Sequence, residues 1–214
     1  MQMTLAGVAI LTAILAVRAH YLGEDQRWQV YLFKPLATIL ILCIVLAGSQ
    51  PLLHPYVRLL AAGLLLSAAG DVFLMLPKDR FIAGLASFLV GHLCYIAAFS
   101  SDVAFGAGLL WWLPFFAVGG AVAASLWPRL PPALRGPVLA YVLVIATMAG
   151  QATGRWSVLL SPAALYAAMG AGLFVASDAT LAIDRFGRQF RAARAVTLST
   201  YYAAQLLIAL SATI

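Results

Sequence analysis

Residues 64–81 of the chain read LLLSAAGDVFLMLPKDRF, an apolar run that contains a carboxylate. Asp71 lies within the run, and Pro77 closes it. An ionisable side chain at the centre of a bilayer costs at least about 2.5–3.5 kcal/mol, so such residues face a protein interior or a water-filled cavity. The stretch therefore predicts a membrane-spanning helix that brings an acid into a helix bundle.

The composition of the whole chain supports this interpretation. Its 214 residues are 64% hydrophobic and only 9% charged, with a mean hydropathy of +0.99, whereas soluble domains are about one quarter charged. The apolar runs are long, continuous and rich in Leu, Ala and Gly, which favours helices of about 20 residues over alternating strands. We therefore predict an all-α integral membrane protein with a single transmembrane domain over residues 1–214.

The apolar runs and their turn residues predict a polytopic bundle of eight transmembrane helices. No Lys or Arg precedes the first run, so we interpret it as a retained helix and not as a signal peptide. The predicted helices cover residues 2–19, 29–47, 57–76, 81–100, 106–127, 136–152, 158–182 and 194–213.

Basic residues indicate how the bundle is oriented. Eleven of the thirteen Lys and Arg residues lie in or beside the odd-numbered connections, and Arg58 and Arg155 lie in or beside the even-numbered ones. The positive-inside rule then places the odd connections in the cytoplasm and both termini on the other side, in the inner or plasma membrane if the host is bacterial. The net charge of +6 is thus explained by orientation and lipid headgroups, and we expect no nucleic-acid partner. The eleven are Arg18, Arg27, Lys34, Lys78, Arg80, Arg129, Arg135, Arg185, Arg188, Arg191 and Arg194.

Two segments resemble each other across the halves of the chain. SAAGDVFLMLPKDRF at residues 67–81 and VASDATLAIDRF at residues 175–186 each place an Asp after small residues and end in Arg-Phe. Helices three and four would then correspond to helices seven and eight, which indicates a parallel four-plus-four repeat. Chance similarity between two apolar segments is the alternative.

Four Lys, Asp and His residues lie inside predicted helices and away from the helix ends: Lys34, Asp71, His92 and Asp178. At 1.5 Å per residue, both acids lie roughly 9 Å from the cytoplasmic end, Lys34 about 10 Å, and His92 roughly 16 Å. Several helices thus bring polar groups to a similar shallow depth, which predicts a shared polar pocket with His92 and Gln205 beneath it. The other polar residues of these helices are Ser67, Ser87, Tyr95, Ser177, Thr200, Tyr201, Tyr202 and Gln205.

Structural roles for these residues are alternatives. Lys34 could extend to the membrane surface or form a purely structural salt bridge with an Asp, and His92 could be an interhelical hydrogen-bond donor. Tyr201 and Tyr202 could be interfacial or core aromatic residues. The chain has no His or Cys pattern typical of zinc and no GxSxG nucleophile motif, so we expect no metal site and no cofactor.

At these positions the sequence resembles the YhhN family of membrane proteins, whose characterised members are lysoplasmalogenases. The matching segments are KPLAT at Lys34, GDVFLML at Asp71, residues 80–99, SDATLA at Asp178 and STYYAAQLLI from Ser199. The resemblance implies a hydrolase of the vinyl ether bond in lysoplasmalogens, which yields a fatty aldehyde and glycerophosphoethanolamine or glycerophosphocholine. It also implies that Asp71, Asp178 and His92 are the candidate catalytic residues.

Two carboxylates can divide acid–base work around a cationic intermediate, as they do in glycosidases. A lysophospholipid partner would place its bond at the top of the hydrocarbon, near the shallow polar layer, and its phosphate near Arg80, Arg185, Arg188 or Arg191. The oligomeric state is open. The candidate substrate-binding residues are Lys34, Ser87, Tyr95, Tyr201, Tyr202, Gln205, Arg80 and Arg185.

Two other functions fit the same residues. A small proton-coupled transporter could use the acids as a proton relay between its two halves. A hydrolase on the same scaffold could instead cut another lysolipid bond, such as an ester, an amide or a saturated ether.

Overall fold

A computed structural model of the chain describes residues 2–48, 51, 53–76 and 80–214. Within these ranges the backbone forms eight α-helices and no β-strand, which confirms the predicted all-α, eight-helix bundle. Lys78, counted above among the cytoplasmic residues, and Pro77, which closes the third predicted helix, lie outside the described residues. The helices are α1 (Gln2–Ala19), α2 (Trp28–Leu46), α3 (Pro55–Met75), α4 (Phe81–Phe99), α5 (Leu113–Leu126), α6 (Pro132–Leu159), α7 (Pro162–Phe186) and α8 (Ala193–Leu210).

Seven helical segments of the described chain are long and apolar enough to cross a membrane. Six of them are α1–α4, α6 and α7, and the seventh is the segment Leu109–Arg129, which contains α5. Helix α8 is the exception because it carries Arg194, Gln205 and several hydroxyl side chains. It packs closely against α7 and also contacts α1 and α2, so it belongs to the bundle.

The sixth helix is longer than the sequence predicts. Predicted at residues 136–152, it runs from Pro132 to Leu159, so Arg155 lies inside a helix and not in a connection. The helix continues past this charge because Asp102, in the α4–α5 connection, neutralises it with two hydrogen bonds of 2.7 and 2.8 Å.

The fifth and seventh helices begin later than predicted. Gly106 and Gly108 adopt positive φ angles of 85° and 60°, which interrupt helical geometry, and α5 proper starts only at Leu113. Helix α7 starts at Pro162, with the Ser161 hydroxyl accepting a bond from a backbone N–H, and continues to Phe186. Residues 183–186, which lie beyond the predicted end of this helix at residue 182, therefore belong to α7.

Glycines let α3 and α4 approach closely. A Cβ atom at Gly63 would lie 2.3 Å from the Tyr95 ring, and one at Gly70 would lie 2.6 Å from Phe88. Small residues bring membrane helices together in this way. The contact fixes the aromatic face of α4 against the helix that carries Asp71.

Helix neighbours in the second half of the chain repeat those of the first. The pairs α1–α2, α2–α3 and α3–α4 correspond to α5–α6, α6–α7 and α7–α8, and the contact between α4 and α6 corresponds to that between α8 and α2. This is the arrangement that a parallel four-plus-four repeat predicts. It places Asp71 on α3 and Asp178 on α7 in corresponding helices.

Arg155 stabilises the end of the bundle at which the even-numbered connections lie. Its guanidinium pairs with Asp102 and lies 4.7 Å from the centre of the Tyr56 ring. Side-chain exposure is unequal, at 6% for Arg155 and 41% for Asp102. The pair joins α6 to the α4–α5 connection at the end of the bundle away from the candidate site.

The difference in exposure between Arg155 and Asp102 predicts that replacing each residue changes the stability by a different amount. We expect Asp102→Ala to lower the free energy of unfolding by about 2–3 kcal/mol, since it leaves the buried Arg155 charge without its counter-ion. Arg155→Met should cost about 1 kcal/mol or less, because water reaches the remaining carboxylate. Unfolding in bicelles would measure both, with exposed Arg58→Met at the same end as the control. Equal losses for the two variants would contradict this account.

Candidate active site

A cavity of about 880 Å³ opens at the end of the bundle formed by the odd-numbered connections. It is bordered by the carboxyl ends of α1, α3 and α7, by the amino ends of α2, α4, α6 and α8, and by α5. Both Asp71 and Asp178 line it. The two acids, on different helices, therefore face one common space.

Asp71 is the more enclosed of the two acids, with a relative exposure of 1%. Lys34 Nζ lies 3.2 Å from its Oδ1 atom. Thr38 and Tyr201 donate hydrogen bonds of 2.9 and 2.6 Å to its Oδ2 atom. Lys34 and Thr38 lie one turn apart on α2 and Tyr201 lies on α8, so three helices meet at this carboxylate. One cation and two hydroxyl donors stabilise its ionised form.

Asp178 has a different environment. The Tyr141 hydroxyl, from α6, donates a hydrogen bond to its Oδ2 atom. Within the described residues Asp178 has no ion pair, and it is half-buried where it lines the cavity. A carboxyl group in a partly apolar site without a cation is more easily held neutral. The two acids are therefore unequal, one ion-paired and one not.

The sequence estimate places both acids at the same distance from the cytoplasmic ends of their helices. In the structure these distances differ. Asp71 lies four residues before Met75, the last residue of α3, whereas Asp178 lies eight residues before Phe186, the last residue of α7. Both reach the same cavity because α7 extends further beyond its acid than α3 does.

The structure brings only some of the predicted site residues to the cavity. Lys34, Tyr201 and Arg185 line it with the two acids. His92, Tyr95 and Gln205 are fully buried beneath this layer. His92 has no hydrogen bond to either acid, and its ring lies 5.4 Å from that of Tyr141 and 5.2 Å from that of Phe174, measured between ring centres.

Three further candidates lie outside the cavity. The Ser87 hydroxyl donates to the Leu66 carbonyl oxygen at 2.7 Å, a contact between α4 and α3. The Tyr202 hydroxyl donates to the Lys34 carbonyl oxygen at 3.3 Å, which ties α8 to α2. Arg80 is exposed and is not among the cavity-lining residues. In this structure the hydroxyl groups of Ser87 and Tyr202 connect helices through backbone carbonyl groups.

The mouth of the cavity is basic. The Arg185 guanidinium lies 4.0 Å from the centre of the Phe81 ring, and His20, Arg27 and Arg194 line the opposite side, where α1, α2 and α8 meet. The three arginines bring positive charge to the opening, which suits an anionic headgroup.

His20 contributes to this mouth in its neutral form. Burial lowers the pKa of His20, and nearby Lys34 and Arg194 act in the same direction, while its hydrogen bond to the Ala16 carbonyl acts against them. Its Nδ1 atom donates to that carbonyl at 2.9 Å, because a carbonyl oxygen only accepts. The Nε2 atom is then an acceptor at the mouth near pH 7.

Sequence reasoning missed two residues that donate hydrogen bonds to the acids, Thr38 and Tyr141. Thr38 could have been found, because it follows Lys34 by four residues within KPLAT and so lies on the same helix face. Tyr141 offers no such signal, since a single Tyr in an apolar helix is typical of any packed core. Among the described residues there is also no group of three or more His, Cys, Asp or Glu placed to hold a metal ion.

Comparison with known proteins places the chain in a family. The YhhN family model matches residues 29–212. The Escherichia coli O157:H7 protein named "Uncharacterized membrane protein YhhN" is 32% identical over 92% of this chain and 93% of its own length. The human "Lysoplasmalogenase TMEM86B" is 37% identical over 90% of this chain and 79% of its own length, and the bovine "Lysoplasmalogenase TMEM86A" is 35% identical over 89% and 80%. No solved structure matches. With its apolar helices, this chain is a multi-pass membrane protein, and it belongs to the YhhN family.

Proposed function

We propose that the protein is a lysoplasmalogenase-like hydrolase that cleaves the vinyl ether bond of lysoplasmalogens. The products would be a fatty aldehyde and glycerophosphoethanolamine or glycerophosphocholine. The names of the mammalian relatives support the substrate class. The observation that carries the proposal is the pair of unequal acids on one cavity, Asp71 with a cation and Asp178 without.

Asp178 is the general acid of this proposal. Hydrolysis begins when a proton is transferred to the outer alkene carbon, which converts the vinyl ether into an oxocarbenium ion. The donor must be neutral before the reaction, and Asp178 has no ion pair that would keep it charged. Tyr141 holds one carboxyl oxygen, which leaves Oδ1 to carry the proton toward the cavity.

Asp71 is the anion that stabilises the cation and then activates water. Its negative charge faces the cavity in which the positive charge develops. Oδ2 accepts two hydrogen bonds, whereas Oδ1 faces only Lys34 and has a further lone pair for a water molecule. Water adds to the oxocarbenium carbon as its proton passes to Asp71, and a hemiacetal results.

Collapse of the hemiacetal returns both acids to their initial states. Asp178, now ionised, removes the hydroxyl proton, so the carbonyl of the aldehyde forms and the carbon–oxygen bond to glycerol breaks. Asp71, now protonated, gives its proton to the departing glycerol oxygen. The net reaction consumes one water molecule and uses no other reagent.

The shape of the cavity suits a lysophospholipid. Apolar side chains such as Leu85, Phe88 and Val118 line its wall and suit the start of the hydrocarbon tail. Arg185 and the other basic groups at the mouth suit the phosphate. The vinyl ether lies between tail and glycerol, the level at which the acids are found. If the positive-inside rule holds, this mouth faces the cytoplasm.

Four lysolipids would test the proposal with the purified protein in detergent or nanodiscs. We expect aldehyde release from the alkenyl forms with choline and ethanolamine headgroups, and no cleavage of matched alkyl or acyl forms, because only the alkenyl chain gives an oxocarbenium ion on protonation. Fatty acid release from the acyl form alone would overturn the proposal in favour of an esterase. Cleavage of none, together with Asp-dependent proton flux in liposomes, would overturn it in favour of a transporter.

A further inference from the structure

Four buried side chains beneath the acids have polar atoms without a hydrogen-bond partner in the described part of the chain. They are Ser67, His92, Tyr95 and Gln205, each 1% exposed or less. Together they present six nitrogen and oxygen atoms. Native proteins pair nearly all such groups with protein or with ordered water, because an unpaired buried polar atom loses its hydration without compensation.

The positions of Ser67 and Gln205 follow from the contact that Tyr201 makes with Asp71. Helices α3 and α8 run in opposite directions, and Tyr201 of α8 donates to Asp71 of α3. Ser67 precedes Asp71 by four residues, and Gln205 follows Tyr201 by four residues. One turn deeper in the bundle, these two side chains therefore extend the same helix contact.

Helix α4 brings His92 and Tyr95 to the same level. Phe88 packs edge-on against Tyr201 at 5.8 Å between ring centres, and His92 follows Phe88 by one turn. A Cβ atom at the adjacent Gly91 would lie 3.6 Å from Ser67 Oγ. The rings of His92 and Tyr95 lie 6.2 Å apart between centres. We call this group of four side chains the polar chamber.

We propose that the polar chamber binds at least two water molecules and supplies the hydrolytic water to the acids from the interior side. A buried water makes about three hydrogen bonds, so one molecule cannot satisfy six atoms. The four side chains carry both donors and acceptors and include no Lys, Arg, Asp or Glu, which suits water and not an ion or a lipid tail.

The supply of water to the acids rests on the proposed function. A lysolipid bound in the cavity fills the mouth with its headgroup, so water cannot enter through that mouth when it is needed. The polar chamber lies on the other side of the acids. Its His92 ring contacts the ring of Tyr141, whose hydroxyl holds Asp178. Water in the polar chamber is thus one side chain away from the reacting groups.

X-ray radiolytic footprinting tests the water without any substrate. Radicals formed from bound water label the side chains beside it, so we expect labelling of Tyr95 although it is fully buried. Met148, which is equally buried in the apolar core and more reactive, serves as the dry control and should stay unlabelled. If Tyr95 is as unreactive as Met148, the polar chamber is dry and the proposal fails, whatever the enzyme cleaves.

Gln205→Leu gives a second measurement that is independent of activity. With water present, the change removes bonds to bound water, and we expect Tm to fall by roughly 2–4 °C. In a dry cluster the same change removes an unsatisfied polar group and raises Tm. A higher Tm would therefore overturn the proposal.

The kinetics then test delivery to the acids. His92→Phe keeps a ring but removes both nitrogens, and we expect kcat to fall roughly tenfold with KM unchanged, since the water loses its position while the substrate site is intact. His92→Gln should restore part of the loss, because it again offers a donor and an acceptor. A change in KM alone would overturn the delivery role. Absence of vinyl ether cleavage with labelled Tyr95 would count against the proposed function and leave the water site in place.

Discussion

We expect Asp178→Asn to leave a folded protein that releases almost no aldehyde from an alkenyl lysolipid. Asn has the size of Asp and still accepts the Tyr141 hydroxyl bond, so the packing of α6 against α7 is retained. It has no acidic proton, and nothing else in the described cavity offers a neutral carboxyl at that position. We expect kcat/KM to fall by about 10²–10⁴-fold, the usual contribution of a general acid. An aldehyde assay on purified, monodisperse variant would measure it.

Asp184→Asn is the matched control for this variant. Asp184 lies on α7, lines the same cavity, and carries the same functional group less than two turns away. Because it has no part in the proposed proton transfers, its replacement should leave kcat/KM close to that of the unmodified protein. Equal activity in the Asp178 and Asp184 variants would show that the reaction does not depend on an acid at position 178.

The general architecture could be predicted from the sequence because lipid imposes a simple rule on composition. Apolar runs that satisfy their own backbone hydrogen bonds become helices, and all eight were found. The ends were less predictable, as α6 and α7 illustrate. Arg155 resembles a loop residue until its partner Asp102 is known, and the partner comes from a distant connection.

The site was predictable in part, for a related reason. A charge within an apolar run is a strong local signal, so Lys34, Asp71 and Asp178 could be identified and expected in one pocket from their estimated depths. Whether a neutral polar residue faces the cavity depends on helix rotation, which sequence does not specify. Ser87 therefore belongs to the α3–α4 contact, and His92 lies beneath the acids instead of beside them.

Lys34→Met should strongly destabilise the protein and also inactivate it. The change leaves the Asp71 carboxylate buried with two hydroxyl donors and no cation, and removing one partner of a buried ion pair costs about 3–5 kcal/mol. Steric trapping in bicelles would measure the free energy of unfolding, and the aldehyde assay would measure activity. The proposal requires both to fall, because the anion that stabilises the oxocarbenium ion is itself stabilised by Lys34.

The double variant Lys34→Met/Asp71→Asn separates these two effects. It removes both charges and keeps an acceptor for Thr38 and Tyr201, so the free energy of unfolding should recover to within about 1–2 kcal/mol of the unmodified protein. Activity should not recover, since no base or anion remains at position 71. A double variant that is stable and still cleaves the vinyl ether would restrict the ion pair to a structural role. Recovery of stability without recovery of activity would show that the bundle tolerates the loss of this ion pair and that the chemistry does not.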